Sequence, residues 1–237
     1  MSNPLLIFPF ISPPSGGKGT QTQRLSERYQ LPRVDMGAML RSVAASGSPL
    51  GERIKGILAE GKLVDTPTVL DTLKEGVNAL LAEHQQSGQP PRGLILDGFP
   101  RNAAQAEGLD PILADLNARI AAVFYLDVPA EVIIERAANR LMSETSGIVY
   151  NLKTKPPKTP GICDVTGEKL IQRADDKPEV VASRLSSFTT ETEPILARYE
   201  AQGLLKRING NQPIDTVTDA LIAQLEPLLQ PVQQPVA

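Results

Sequence analysis

One cysteine, one histidine and no tryptophan in 237 residues exclude several chemistries at the outset. Cys163 by itself cannot close an internal disulfide or supply a multi-cysteine zinc site, and a reducing, cytoplasmic setting suits such a chain. His84 precedes a polar stretch and is read as a surface residue, so catalysis built on histidine is not expected. Aromatic residues make up only 4% of the chain, which leaves few platforms for stacking nucleic-acid bases. The net charge of -3 produces no strong field toward DNA or membranes. No apolar run approaches the roughly 20 residues of a membrane span. The short apolar run near the start lacks the basic flank of a secretion signal and reads instead as a buried strand.

What remains is ordinary for a globular protein: 41% apolar residues, enough for a sizeable core, on a length that suits one large domain or a domain with insertions. Residues 5–11 form a continuous apolar strand, followed by a turn rich in Gly, Ser and Pro and a helix over 18–29. Short helices are expected over 36–45 and 50–60, and a longer one to about residue 82, with Thr66 as N-cap and Pro67 in its first turn. Residues 85–92 read as a polar loop. Residues 93–97 and 120–127 read as buried strands, with a helix beginning at 132 and running to 141. From 143 to 173 the helical period disappears among Gly, Pro, Thr and Lys, as in a small inserted module of hairpins. Helix returns over 178–202, then a strand over 204–208, a helix over 214–229, and a Pro- and Gln-rich tail over 230–237 that reads as disordered. Alternating strands and helices with unbroken apolar strands imply an α/β fold on a parallel sheet.

The sharpest chemical signal is Ser12-Pro13-Pro14-Ser15-Gly16-Gly17-Lys18-Gly19-Thr20. Strand, glycine-rich turn and helix are the layout of a phosphate-binding loop, in which backbone N–H groups and the helix dipole face the anion. Lys18 is placed to reach the β- and γ-phosphates. The match to G-x-x-x-x-G-K-[ST] is imperfect, because Ser12 stands first and Gly19 separates Lys18 from Thr20. If Ser15 adopts a positive φ, its side chain costs roughly 1–2 kcal/mol. A glycine-rich turn that merely caps a helix is the competing reading of this segment alone.

Further along, Leu94-Ile95-Leu96-Asp97-Gly98-Phe99-Pro100-Arg101, with Gln105 beyond it, resembles the signature of the adenylate kinase family. Gly17 to Thr20 is similar to that family's loop, and Gly37 to Arg41 and Gly61 to Val64 resemble its monophosphate-binding region. Arg136 and Arg140 resemble the arginine pair before its lid. Val149, Tyr150, Pro156, Pro157 and the stretch from Asp164 to Glu168 resemble the long lid, with Arg173 to Asp176 and Arg184 as its return. Gly210 and Pro213 resemble the adenine-side loop, and the similarity covers about residues 5–229.

The resemblance implies a three-layer P-loop NTPase fold with a five-stranded parallel sheet. Its core would be residues 1–35, 65–138 and 177–229, with a helical acceptor module at 36–64 and a lid at 139–176. It implies reversible transfer of the terminal phosphate of ATP to AMP, giving two ADP, in a monomer that takes small-molecule nucleotides and neither nucleic acid nor membrane. Lys18 with Ser15, Gly16, Gly17, Gly19 and Thr20 would hold ATP, together with Arg140, Val149, Tyr150 and Gln212. Met36, Arg41, Lys62, Leu63, Val64, Gly98, Phe99, Pro100, Arg101 and Gln105, with Arg173 and Arg184, would hold AMP. Arg101, Arg136, Arg140, Arg173 and Arg184 would surround the transferred group, because guanidinium is permanently charged and grips phosphate oxygens in pairs. Asp97 would hold Mg²⁺ through water.

Four positions depart from the family pattern: Ser12 and Ser15 replace glycines, Met36 a threonine that contacts the acceptor base, and Ala38 an aspartate. They leave room for a kinase acting on UMP, CMP or GMP, or for a nucleotide-binding paralog with little turnover. Where some members carry zinc ligands in the lid, this chain has Ser143, Ser146, Cys163 and Thr166, so no zinc is expected and hydrogen bonds and packing are expected to hold the lid.

Overall fold

The apolar run Leu5–Ile11 forms the central strand β1 of a parallel sheet in the computed structural model, which describes residues 4–86 and 91–230. Helix α1 (Lys18–Tyr29) follows, then β2 (Arg33–Asp35), α2 (Met36–Ala44), α3 (Pro49–Ala59), α4 (Thr66–Gln86) and β3 (Gly93–Asp97). Next come α5 (Ala103–Asp115), β4 (Ala118–Ile120), β5 (Val123–Asp127) and α6 (Ala130–Ala138). The hairpin β6 (Arg140–Met142) and β7 (Val149–Asn151) precedes α7 (Pro178–Ser187), α8 (Pro194–Ala201), β8 (Leu205–Asn209) and α9 (Ile214–Leu229).

The sheet order is β2-β3-β1-β5-β8, and every pair is parallel. Its strands β1 and β3 are buried nearly throughout, as parallel strands covered by helices on both faces must be. One apolar cluster, including Ile7, Leu73, Leu94 and Phe99, packs β1 and β3 against α2, α4 and α5. A second, including Phe8, Phe10, Leu25, Phe124 and Leu221, packs the other face against α1 and α9. The Phe10 and Phe124 rings stack at 4.8 Å across the β1–β5 seam.

Several boundaries differ from the sequence reading for identifiable reasons. The expected five-stranded sheet carries a sixth segment: the run over 120–127 divides, with β4 pairing to the first half of β1 and β5 to the second. The α4 cap is Asp65 rather than Thr66, its Oδ1 accepting the Thr68 N–H at 3.1 Å. Helix α6 stops at Ala138, because residues 140–142 turn into the β6 ladder. The helical stretch after 178 is interrupted by a π turn at Phe188–Thr192, just before Pro194 starts α8. Helix α4 takes up residues 85 and 86 of the expected loop. Residues 87–90 and 231–237, part of that loop and nearly all of the tail, lie outside the described residues.

Candidate active site

The C-terminal edge of the parallel sheet gathers charge. Residues 12–17 leave β1 and turn into α1, whose N-cap Gly17 has φ 90°. Gly16 is packed so closely that a Cβ there would lie 3.0 Å from the Pro13 carbonyl oxygen and 3.1 Å from Ser12 Cβ. Ser15 does adopt the left-handed conformation, with φ 55°, and its buried Oγ has no hydrogen-bond partner among the described residues. Both features cost stability, the first about 1–2 kcal/mol and the second about 1–3 kcal/mol.

Lys18 starts α1 and reaches across to Asp97 at the end of β3, forming an ion pair with Oδ1. Asp97 is 2% exposed, and its Oδ2 accepts the Thr22 hydroxyl at 2.6 Å and Arg33 Nη1 at 3.3 Å. Burial opposes its ionisation, but Lys18, Thr22 and Arg33 outweigh that and hold it below the usual carboxylate range. Past Asp97 the chain turns at Gly98, whose φ is 78°. A Cβ at Gly98 would lie 3.2 Å from Lys18 Nζ and 3.0 Å from Arg101 Nη2, so the two cations converge on this one turn. Arg101 is fixed by Nε donating to the Gly98 carbonyl at 2.8 Å, and its N–H donates to the buried Gln105 Oε1 at 2.8 Å.

The expected arginines divide into two sets. Arg41, Arg101 and Arg136 have no carboxylate within ion-pair distance among the described residues. Arg136 instead donates to the carbonyls of Gly16 at 3.3 Å and Gly210 at 2.9 Å, tying α6 to the phosphate loop and to the loop after β8. Arg173 and Arg184 share Asp175 Oδ2 at 2.6 and 2.7 Å, and Arg140 makes a two-pronged contact with Asp176, 1% exposed. Burial pushes Arg184 down to about 10, with Asp175 opposing, so it stays charged at neutral pH. Burial also pushes Asp175 upward, but Arg173, Arg184 and Arg140 together bring it below its usual range.

Met36 is buried against Leu40, Leu63, Val64, Arg101 and Gln105 around a cavity of only about 20 Å³. A larger cleft of about 570 Å³ opens beside it, lined by Lys62, Leu63, Val64, Asn102, Ser183 and Glu191 among others. That volume falls within the roughly 300–1,000 Å³ of small-molecule sites. Phe99 and Pro100 are buried, while the exposed Lys62 side chain pairs with Glu60 at 2.6 Å. Gln212 is exposed on the loop after β8.

Tyr150 is buried inside the small module that follows α6. Its hydroxyl accepts the Asp164 N–H at 2.9 Å and lies 3.6 Å from Cys163 Sγ, with Leu170 in the same small apolar cluster. Ser143 and Ser146 lie 2.5 Å apart, Ser143 also bonds Glu168 Oε1, and Thr145 donates to Glu168 Oε2 at 2.5 Å. Thr166 hydrogen-bonds the Cys163 thiol. Among the described residues no group of three or more His, Cys, Asp or Glu side chains is arranged to hold a metal ion. No described helix is long and apolar enough to cross a membrane.

Four contributors left weaker traces in the sequence. Thr22 lies one helical turn past Lys18, a spacing that puts it on the same face of α1 and could have flagged it. Arg33 sits on a three-residue strand too short to register as an apolar run. Asp175 and Asp176 were visible only as neighbours of Arg173, although adjacent acids among so many arginines were a usable sign of pairing.

A strand, a phosphate loop with its lysine, a strand-end aspartate reached by that lysine and a set of partly buried arginines define a P-loop phosphotransferase of the nucleoside monophosphate kinase class. The adenylate kinase family model matches residues 10–204. The chain is 38% identical to adenylate kinase of Thermodesulfovibrio yellowstonii over 92% of its own length and 97% of the relative's. It is 39% identical to that of Archaeoglobus fulgidus, covering 92% and 96%, and 37% identical to that of Staphylococcus epidermidis, covering 91% and 96%. The chain belongs to the adenylate kinase family.

Proposed function

We propose that this chain transfers the terminal phosphate of ATP reversibly to AMP, giving two ADP, as a cytoplasmic monomer. The observation that carries this reading is the convergence of Lys18 and Arg101 on Gly98, one cation from the phosphate loop and one from the acceptor side. Phosphoryl transfer asks for positioning and for positive charge around the equatorial oxygens rather than for a strong base, which suits a site built from arginines. In this reading Lys18 and the amides of residues 15–20 bind the triphosphate, and Lys18 leaves Asp97 to do so. Arg41 and Arg101 bind the acceptor's phosphate. Gln105 and the backbone of Lys62 to Val64 meet its base, with Met36 supplying apolar contact where a hydroxyl is the family pattern. Val149 and Gln212 border the donor nucleotide.

Residues 36–64 form the acceptor module and residues 139–176 the lid of this reading, the remainder being the core. Closure brings Arg140, Arg173 and Arg184 to the transferred group alongside Arg136 and excludes water, so that phosphate is not lost to hydrolysis. Asp175 and Asp176 keep three of those cations neutralised in pairs until the phosphates compete for them.

Asp97 suits a hydrated Mg²⁺. Carboxylate oxygens are hard donors; Thr22 and Arg33 hold Oδ2, and the departure of Lys18 would leave Oδ1 to accept from a metal-bound water. When bound, the metal neutralises charge on the β- and γ-oxygens.

The test is phosphate transfer from ATP to AMP, UMP, CMP, GMP and water in separate reactions, with Lys18→Ala as control. ADP formation with AMP, abolished in the control, is expected. Transfer to another monophosphate alone would move the acceptor assignment, which the buried Met36 makes the informative alternative. Nucleotide binding without transfer to any acceptor would overturn the enzymatic reading.

A further inference from the structure

Arg33 has a place in the site that neither the phosphate loop nor the arginine ring accounts for. Strand β2 runs parallel to β3 with Asp35 in register with Asp97 and Arg33 in register with Ile95. Alternation puts Val34, 1% exposed, into the core and leaves Arg33 and Asp35 together on the opposite face. The Arg33 Nη1 then donates to three groups: the Gly19 carbonyl at 3.2 Å, Thr22 Oγ1 at 3.2 Å and Asp97 Oδ2 at 3.3 Å. Its Nη2 lies 3.5 Å from Asp35 Oδ2. One guanidinium therefore joins the first turn of α1 to the ends of β2 and β3.

We infer that Arg33 is a positioning residue that aims Asp97 and, as a fixed positive charge, loosens the protein's hold on a divalent cation there. Lys18 neutralises Asp97 in the empty site but is needed at the triphosphate once nucleotide binds. Asp35, Asp97 and Arg33 then carry a net charge of about -1, where a neutral residue at position 33 would leave about -2. The position nearby that could have added an acid is Ala38, whose N–H is bound to the Asp35 carboxylate at 2.9 Å. A dication arriving through water thus meets half the local negative charge, while the carboxylate stays ionised and oriented by Thr22 and Arg33. The inference rests on the phosphotransfer reading only in requiring that ATP bind at this loop.

The test measures Mn²⁺ affinity by electron paramagnetic resonance on the full chain, saturated with a non-hydrolysable ATP analogue. Arg33→Gln is expected to bind Mn²⁺ about three- to tenfold more tightly than the parent, since a unit charge within several ångströms of a dication is being removed. Arg33→Lys, which keeps the charge, is expected to stay within about twofold of the parent. A residue that only packed β2 against α1 would change thermal stability without producing that split. Equal or weaker Mn²⁺ binding by Arg33→Gln, or an Arg33→Lys protein that behaves like it, overturns the inference. Should Arg33→Gln fail to fold, Arg33→Met keeps the aliphatic stem and carries the same expectation. A parent that does not bind the analogue at all would be a different failure, that of the ATP-binding reading itself.

Discussion

The sheet-edge half of the site and the proposed lid, residues 139–176, are held together by different physics. At the edge, Lys18 at the start of α1, Asp97 at the end of β3 and Arg101 in the turn beyond it stand on elements anchored in two large apolar clusters, and Asp97 is almost fully buried. The lid has a core of three buried residues, Tyr150, Cys163 and Leu170, and a polar knot in which Glu168 takes hydrogen bonds from Ser143 and Thr145. At the edge Arg41 and Arg101 face no carboxylate within ion-pair distance among the described residues, whereas Arg140, Arg173 and Arg184 are already paired with Asp175 and Asp176. In the proposed reading, preformed charge serves capture of the acceptor and paired charge serves a step that waits for closure.

The largest expected effect falls on the edge. Arg101→Ala is expected to lower kcat/KM for AMP by about 10²–10³, as loss of a preorganised charge donor does, with the circular dichroism spectrum unchanged. In the core beneath, Leu221→Ala is expected to cost about 2–5 kcal/mol of global stability in denaturant titration. Glu168→Gln, by contrast, is expected to speed amide exchange within residues 139–176 and leave β1 and β3 protected. Equal acceleration in both regions would erase the distinction between them.

How far the sequence disclosed this division follows from the kind of signal each region leaves. Continuous apolar runs at β1 and β3, each ending in a glycine turn, made the sheet edge and its lysine and aspartate legible. In its periodicity the segment 143–173 appeared as a loss of helix, because short ladders such as β6 and β7 and bonds between hydroxyls and Glu168 leave no periodic trace, and only the resemblance at residues such as Val149, Tyr150 and Asp164 to Glu168 suggested a lid. The break between β4 and β5 was hidden because Ala121 and Ala122 are as apolar as the strands around them. Met36 was legible as a departure, but its burial in the acceptor pocket depends on packing between α2 and the end of β3.

Smaller effects sharpen the same contrast. Asp175 lies below its usual range, so its ion pairs stabilise the folded chain fully above the ordinary Asp value of 3.8, and that contribution is lost as pH falls below it. Glu168, lowered by its bonds to Ser143 and Thr145, follows the same sign below 4.5. Acid titration followed by amide exchange is therefore expected to loosen the lid and its return before β1 and β3. Ser15→Gly is expected to raise stability by about 1–2 kcal/mol, because the left-handed backbone no longer carries a side chain. A shift in the denaturation midpoint without a change in slope would register it.

The most direct test of preformed against paired charge is Arg140→Ala, with AMP binding measured calorimetrically in the absence of ATP and ATP-to-AMP transfer measured alongside. The account predicts AMP affinity within about twofold of the parent and transfer lowered by about 10²-fold or more. Loss of AMP affinity equal to the loss of transfer, or transfer left intact, would contradict it.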